Sequence, residues 1–318
     1  MPVQSSLCLM ASMVRDRAIS PVELVDAHLA QIAAQNPRLN AFVMVLEEDA
    51  RAAAKAAENA VTHGESLGLL HGVPVTVKDS FDMAGLPTLC GSRFRIGHKA
   101  ARDASAVARL RAAGAIILGK TNTPEMLSSY ETDNLITGRT NNPWDVTRTC
   151  GGSSGGEAAA IASFCSAGGI GSDGGGSIRV PAHFCGIVGL KPTPGRISAS
   201  GHVPPMNSMT GMLAVAGPLA RTADDVRLLF AALAGYDAQD PFSAPVPLET
   251  PVAEGLRIGV VEQFYGVPLD PEIRQMVERA AAMLTGFGIP VDRFALRGLE
   301  RAPNLWWFFF GQLPAPFT

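Results

Sequence analysis

The sequence predicts an α/β layered fold. Short β-branched apolar stretches alternate along the chain with capped or alanine-rich helical stretches, and 47% of the 318 residues are hydrophobic against 17% charged, enough to build a real core. Ser20-Pro21-Val22-Glu23 is a capping box with proline at the first helical position, so a helix opens there and runs to about residue 35. An alanine-rich helix follows over residues 47–61. Residues 71–79 are β-branched and bounded by glycine and polar residues, which reads as a strand delivering Lys78 at its C-terminal end. A helix over residues 104–113 leads through Gly114 into a second apolar strand, 115–118. Residues 224–234 form a helix with Thr222 near its cap, and residues 256–261, 271–287 and 290–294 form a late strand, helix, strand unit. No internal repeat is present, and the proline-rich stretch 240–252 is the one linker-like segment. The aromatic cluster 306–310 reads as the start of a buried helix or strand.

Composition excludes several function classes. The net charge is −3 with no run of lysine or arginine, so neither nucleic acid nor an acidic membrane is an expected partner; a small neutral substrate fits better. The five cysteines are odd in number and include no Cys-x-x-Cys pair. This points away from a disulfide framework or a thiolate metal site and toward reduced thiols in a cytoplasmic protein. Around Arg15-Asp16-Arg17 there is no succession of basic, apolar and small residues, so no signal peptide is expected, and no apolar run reaches membrane-spanning length.

Four motifs compete for the chemistry. Residues 114–121 match the phosphate-loop pattern, but the interior is a strand and a helix precedes it, the inverse of the order that pattern requires. Residues 169–174 match a dinucleotide fingerprint, yet after Asp173 no acidic residue appears until Asp224, too far to hold a ribose. Gly151-Gly152-Ser153-Ser154-Gly155 matches a nucleophile elbow, with Asp173 and His183 or His202 following in the order serine, acid, histidine. Against this esterase alternative, residues 143–149 read as a polar loop where an elbow wants a strand.

The fourth motif rests on lysine scarcity: of 26 basic residues only Lys55, Lys78, Lys99, Lys120 and Lys191 are lysines. Arginine holds its proton at usable pH, whereas a buried lysine can lose one and act as a base. Lys78 ends an apolar strand, and bringing it to neutrality costs about 4 kcal/mol, within the reach of burial. The other reading of Lys78, from the strand alone, is a side chain whose tip reaches solvent.

Taken together, Gly151 to Gly156, the run Gly175-Gly176-Ser177-Ile178-Arg179-Val180-Pro181-Ala182, and Gly189-Leu190-Lys191-Pro192-Thr193 resemble the amidase signature family. Upstream, Gly72-Val73-Pro74-Val75-Thr76-Val77-Lys78-Asp79 and Gly119-Lys120-Thr121-Asn122 resemble it in the same order, and the likeness runs from about residue 20 to about residue 235. The resemblance implies a mixed central sheet covered on both faces by helices. It divides the single domain 1–318 into an N-terminal helical segment (1–65), a catalytic core (66–236) and a linker with the strand, helix, strand unit (237–318).

It also implies a serine, serine, lysine triad without metal or cofactor. Ser177 would be the nucleophile, Lys78 the base, and Ser153 the proton bridge, joined to its serine neighbour through a cis peptide bond. Ser153 and Ser177 lie 24 residues apart, as in the family. Backbone N–H groups of Gly174, Gly175, Gly176 and Ser177 would line the oxyanion hole. Asp173 and Arg179 would shape this turn as an ion pair, and Ser154 would give local hydrogen-bond support. His183 and His202 read as polar packing groups, and Cys150 and Cys185, near the site in sequence, as unreactive thiols.

The expected activity is hydrolysis of a carboxylic amide to carboxylate and ammonia or amine. The alternatives are a glutamine-hydrolysing A-type subunit of a transamidation complex, an esterase using Ser153, and an inactive fragment; a homo-oligomer or a partner subunit is compatible with each. The chain departs from the family pattern at Gly174, where relatives often carry threonine or a β-branched residue. It also stops at Thr318, where relatives continue with the part that completes the sheet and walls the acyl pocket, so a C-terminal truncation with an exposed sheet edge is expected.

Overall fold

The computed structural model describes residues 2–206, 211, 213–248, 255–261, 268–294 and 297–312. Part of the linker-like stretch (249–252) and the chain end lie outside these. The chain divides into two compact units, residues 1–248 and 249–318.

In the first unit, helices α1 (Leu7–Arg15), α2 (Pro21–Leu39) and α3 (Glu47–His63) flank the short strand β1 (Phe42–Val45). The expected capping box opens α2: Ser20 Oγ accepts the Val22 N–H at 3.0 Å, and the Glu23 carboxylate accepts the Ser20 N–H at 2.9 Å. The helix continues past residue 35 to Leu39 with Pro37 inside it, and ends on Asn40 in the left-handed conformation. The core strands are β2 (Pro74–Lys78), β3 (Ile116–Thr121), β4 (Gly168–Asp173), β5 (Val188–Gly189) and β6 (Val215–Ala220). Helices α4 (Ser105–Ala112), α5 (Gly155–Ala162), α6 (Arg179–Cys185) and α7 (Ala223–Leu233) intervene, with Thr222 capping α7 as expected.

The six strands form one mixed sheet in the order β1-β3-β2-β4-β6-β5. Strand β2 runs parallel to both β3 and β4, whereas β1, β5 and β6 pair antiparallel. Side chains of a strand alternate between its two faces, and the two apolar clusters divide along that alternation. Val75, Val77, Ile117 and Ile170 pack with α1, α4 and α7, while Ile116, Leu118 and Leu219 pack with α2, α3, α5 and α6. Helices thus cover both faces of the sheet. On β2 this leaves Thr76 and Lys78 on the face opposite Val75 and Val77, both wholly buried.

The second unit contains the expected strand, helix, strand: β7 (Ile258–Val260), α8 (Pro271–Gly286) and β8 (Val291–Arg293), the two strands pairing in parallel. The aromatic cluster does begin in a helix, α9 (Ala302–Trp307), but is not buried: Trp306, Trp307 and Phe308 are 44%, 58% and 46% exposed. The described residues of that unit supply no layer to cover them.

Candidate active site

Lys78 and Ser153 meet in the interior. Lys78 Nζ donates to Ser153 Oγ at 2.7 Å and to Ser172 Oγ at 3.1 Å, and all three side chains are buried. Strand β2 delivers the lysine where its register places Lys78 beside Thr121 of β3, and Ser172 arrives on the neighbouring β4. Removal from water disfavours the ammonium and brings the Lys78 pKa down to about 7, an effect that nearby acidic groups, Asp173 among them, oppose only in part. The solvent-tip reading of Lys78 therefore does not hold, since its side chain is 0% exposed.

Ser153 sits at the end of a glycine turn leading into α5. The peptide bond Gly152–Ser153 is cis, one link before the position expected between the two serines. Ser154 precedes α5, and its N–H donates to the Ser177 carbonyl at 3.1 Å. This bond ties the two serine loops together. Ser154 Oγ lies near the Ser172 backbone, 3.3 Å from the carbonyl and 3.4 Å from the amide. The turn is clamped from outside by Thr132, whose hydroxyl donates to the Gly151 carbonyl at 2.9 Å and accepts the Gly155 N–H at 3.1 Å.

Asp173 organises the loop that carries Ser177. Its carboxylate accepts the Gly176 N–H at 2.7 Å, the Ile178 N–H at 3.0 Å and a two-armed contact from Arg179 at 2.9 Å. Burial works against the Asp173 charge, but Arg179 and these N–H groups outweigh it and hold its pKa below the usual carboxylate range. The expected ion pair is present. The bond from Gly176 removes that N–H from the expected oxyanion receptor. Among the described residues the N–H groups of Gly174, Gly175 and Ser177 have no acceptor, and the Ser177 hydroxyl, half-buried, has no hydrogen bond. Tyr130 donates to the Gly175 carbonyl at 2.6 Å.

The esterase arrangement is not assembled. Asp173 is committed to Arg179 and the loop amides, and its contacts include neither histidine. His183 is exposed on α6 and is not the packing group expected. His202 is buried edge-on against Phe81 at 4.9 Å, with Nδ1 2.8 Å from the Pro204 carbonyl, and burial pulls its pKa down to about 3. Cys150 is buried with its thiol pushed up to about 12, an unreactive state, and Cys185 is shifted the same way.

Several residues that shape the site carry no mark in the local sequence. Ser172 shares the lysine with Ser153. Glu157, on α5, is fully buried beside Thr76 and Thr121, and desolvation raises its pKa well above the usual carboxylate range. Lys120 is locked to Asp79 at 2.7 Å in a buried ion pair and donates to the Pro87 carbonyl at 2.7 Å. That pair anchors the turn after β2 and removes Lys120 from any phosphate-binding role. The signal that finds Ser172 and Glu157 is strand pairing, which local sequence does not hold.

A parallel pair of strands carrying a buried lysine against a cis-serine turn, in a mixed sheet covered on both faces, defines the class: the chain belongs to the amidase signature family. A family model for amidases matches residues 23–312. The chain is 42% identical over 300 residues to the A-type subunit of the glutamyl-tRNA(Gln) amidotransferase of Acidothermus cellulolyticus, covering 92% of this chain and 59% of that protein. Among solved structures it resembles a bacterial aryl acylamidase of the amidase signature family (TM-score 0.88, 32% identity, 98% of this chain and 66% of that one). It also resembles a chain from a vestigial protein complex that reveals the evolutionary origins of an s-triazine catabolic enzyme (TM-score 0.85, 37% identity, 94% and 65%). The chain therefore spans about three fifths of the length of the curated relatives it matches. Among the described residues no helix is long and apolar enough to cross a membrane.

Proposed function

We propose that the chain hydrolyses a carboxylic amide through an acyl-serine intermediate, with Ser177 as nucleophile, Ser153 as proton bridge and Lys78 as base. The observation that carries this reading is the wholly buried Lys78 with its Nζ 2.7 Å from the Ser153 hydroxyl, where burial lowers its pKa to about 7. Free-base Lys78 takes the Ser153 proton as Ser153 takes that of Ser177, whose Oγ bonds to the carbonyl carbon. The oxyanion is received by the free N–H groups of Gly174, Gly175 and Ser177, each donor contributing about 3 kcal/mol in the transition state. The relay then returns the proton to the departing amine as the C–N bond breaks, and water hydrolyses the acyl ester. Asp173, Arg179 and Ser154 support the two loops without touching the reacting atoms.

The 42% identity to the A-type member of an amidotransferase favours a second, narrower reading, glutamine hydrolysis on behalf of a partner subunit. A cytoplasmic location goes with either, given free cysteines throughout. A fluorophosphonate probe with peptide mapping tests the chemistry: the label should fall on Ser177 and vanish in Lys78→Ala. Label on Ser153 with Ser177 untouched would overturn the assignment. Ammonia release from glutamine against release from a simple aryl or alkyl amide then separates the two readings.

A further inference from the structure

Behind Lys78 lies a closed set of oxygen atoms that the proposed relay does not use. The Ser166 hydroxyl donates to the Gly168 carbonyl at 2.8 Å, so its single hydrogen is committed. The contact between Thr76 Oγ1 and Ser166 Oγ, 3.0 Å, must then use the Thr76 hydrogen. Thr121 gives its hydrogen to Glu157 Oε2 at 2.7 Å rather than to the Val77 carbonyl, which lies 3.5 Å away. One bond remains, between Thr76 Oγ1 and Glu157 Oε1, and it has no hydroxyl hydrogen left to form it. Four hydrogen bonds share three hydroxyl hydrogens, and among the described residues the remaining source is the carboxyl group itself.

We propose that Glu157 is held as a neutral carboxylic acid whose proton completes this network, making it the positioning residue that keeps a negative charge away from Lys78. The packing keeps the carboxyl group out of bulk water, since Glu157 is 0% exposed. Glu157 Oε1 lies against bare backbone, where a Cβ on Gly169 would fall 2.0 Å from it, so no water fits between them. An isolated carboxylate in such a place neutralises. Lys78 does not compensate it directly, since its Nζ bonds are to Ser153 and Ser172. Lys78 is the ionisable group that acts on Glu157, while Lys78 itself also feels Cys90 and Asp173 and acts on His202. An ionised Glu157 would hold Lys78 protonated; a neutral one lets the lysine keep its lone pair and fixes α5 to β2 and β3, on which the Ser153 contact depends.

The test is carboxyl-carbon NMR of the whole chain labelled at glutamate Cδ. At about pH 6 exposed glutamates are almost wholly ionised, and Glu157 is the one buried glutamate among the described residues. One resonance in the neutral-acid position is expected, absent in Glu157→Gln. A wild-type spectrum showing every glutamate ionised overturns the proposal, and this holds even where the variant fails to fold. In folded Glu157→Gln, the acid-limb midpoint of kcat/KM should stay in place, because a neutral amide replaces a neutral acid; a fall of about one pH unit or more would show that Glu157 was charged while Lys78 titrates. The kinetic arm rests on Lys78 as base and the NMR arm does not. Unchanged turnover in Lys78→Ala would remove the base and leave the resonance standing.

Discussion

Burial is what turns Lys78 into a usable base, and it fixes the sign of the pH dependence. The folded-state pKa, about 7, lies below the ordinary lysine value, so the reactive free base forms as pH rises through it. The expected kcat/KM climbs about tenfold per pH unit on the acid side and levels above about pH 7. A profile flat from about pH 5 to about pH 8 would exclude Lys78 as the titrating base. Asp173 supports the other half of the site. Replacing it by asparagine leaves a buried amide that cannot accept both arms of Arg179 and the three backbone N–H groups of Gly176, Ile178 and Arg179, so the Ser177 loop loses its shape. The expected cost for Asp173→Asn is about 10²-fold in kcat with a smaller change in KM, read by steady-state kinetics. Lys78 stands out in the sequence because lysine is scarce here, but its role and those of Asp173 and Arg179 are legible only through the resemblance of the glycine-rich runs to the amidase signature family. Ser172 and Glu157 are not, because what makes them matter is the register of β2 against β3 and β4.

Elements are legible in proportion to how local their causes are. Helix α2 announces itself through Ser20 and Glu23, and α7 through Thr222, since a cap is decided within four residues. The stretch Gly168–Asp173 contains three glycines and is still a central strand, because β2 and β6 supply its hydrogen bonds and α5 needs bare backbone to approach. Helices α1, α5 and α6 likewise escape a sequence reading: α5 begins with two glycines and no side-chain cap. Its second glycine is required by contact: a Cβ on Gly156 would sit 2.4 Å from the Asn122 nitrogen and 2.6 Å from its carbonyl oxygen. Both obstacles are backbone at the end of β3, which cannot swing aside. Gly156→Ala is therefore expected to destabilise the fold by about 1–3 kcal/mol, measured by the denaturant midpoint. It should also slow probe labelling of Ser177, because α5 carries Ser153 and Ser154 at its start. Unchanged stability would mean that α5 can slide along the sheet, contrary to its fit against β3.

The alternation of helices and strands predicts the α/β class, but not the order β1-β3-β2-β4-β6-β5, since periodicity carries no information about pairing direction. What the assembled chain adds is a strong asymmetry. Every buried residue among those described lies at or before Asp240, both apolar clusters lie within residues 1–248, and so do all the residues of the proposed site. Free energy of folding comes chiefly from buried apolar surface, and for residues 1–248 that surface lies in two clusters formed within the unit itself. A chain ending at Leu248 should then unfold in one transition within about 4 °C of the corresponding transition in the full chain, equivalent to about 1 kcal/mol. It should also keep fluorophosphonate labelling at Ser177, because Lys78, Ser153 and the Asp173-braced loop remain intact. Calorimetry and labelling on the two chains decide the matter together. Loss of the transition would show that the second unit is part of the cooperative fold, whereas an unchanged transition with lost labelling would show that Ser177 reactivity needs residues beyond 248.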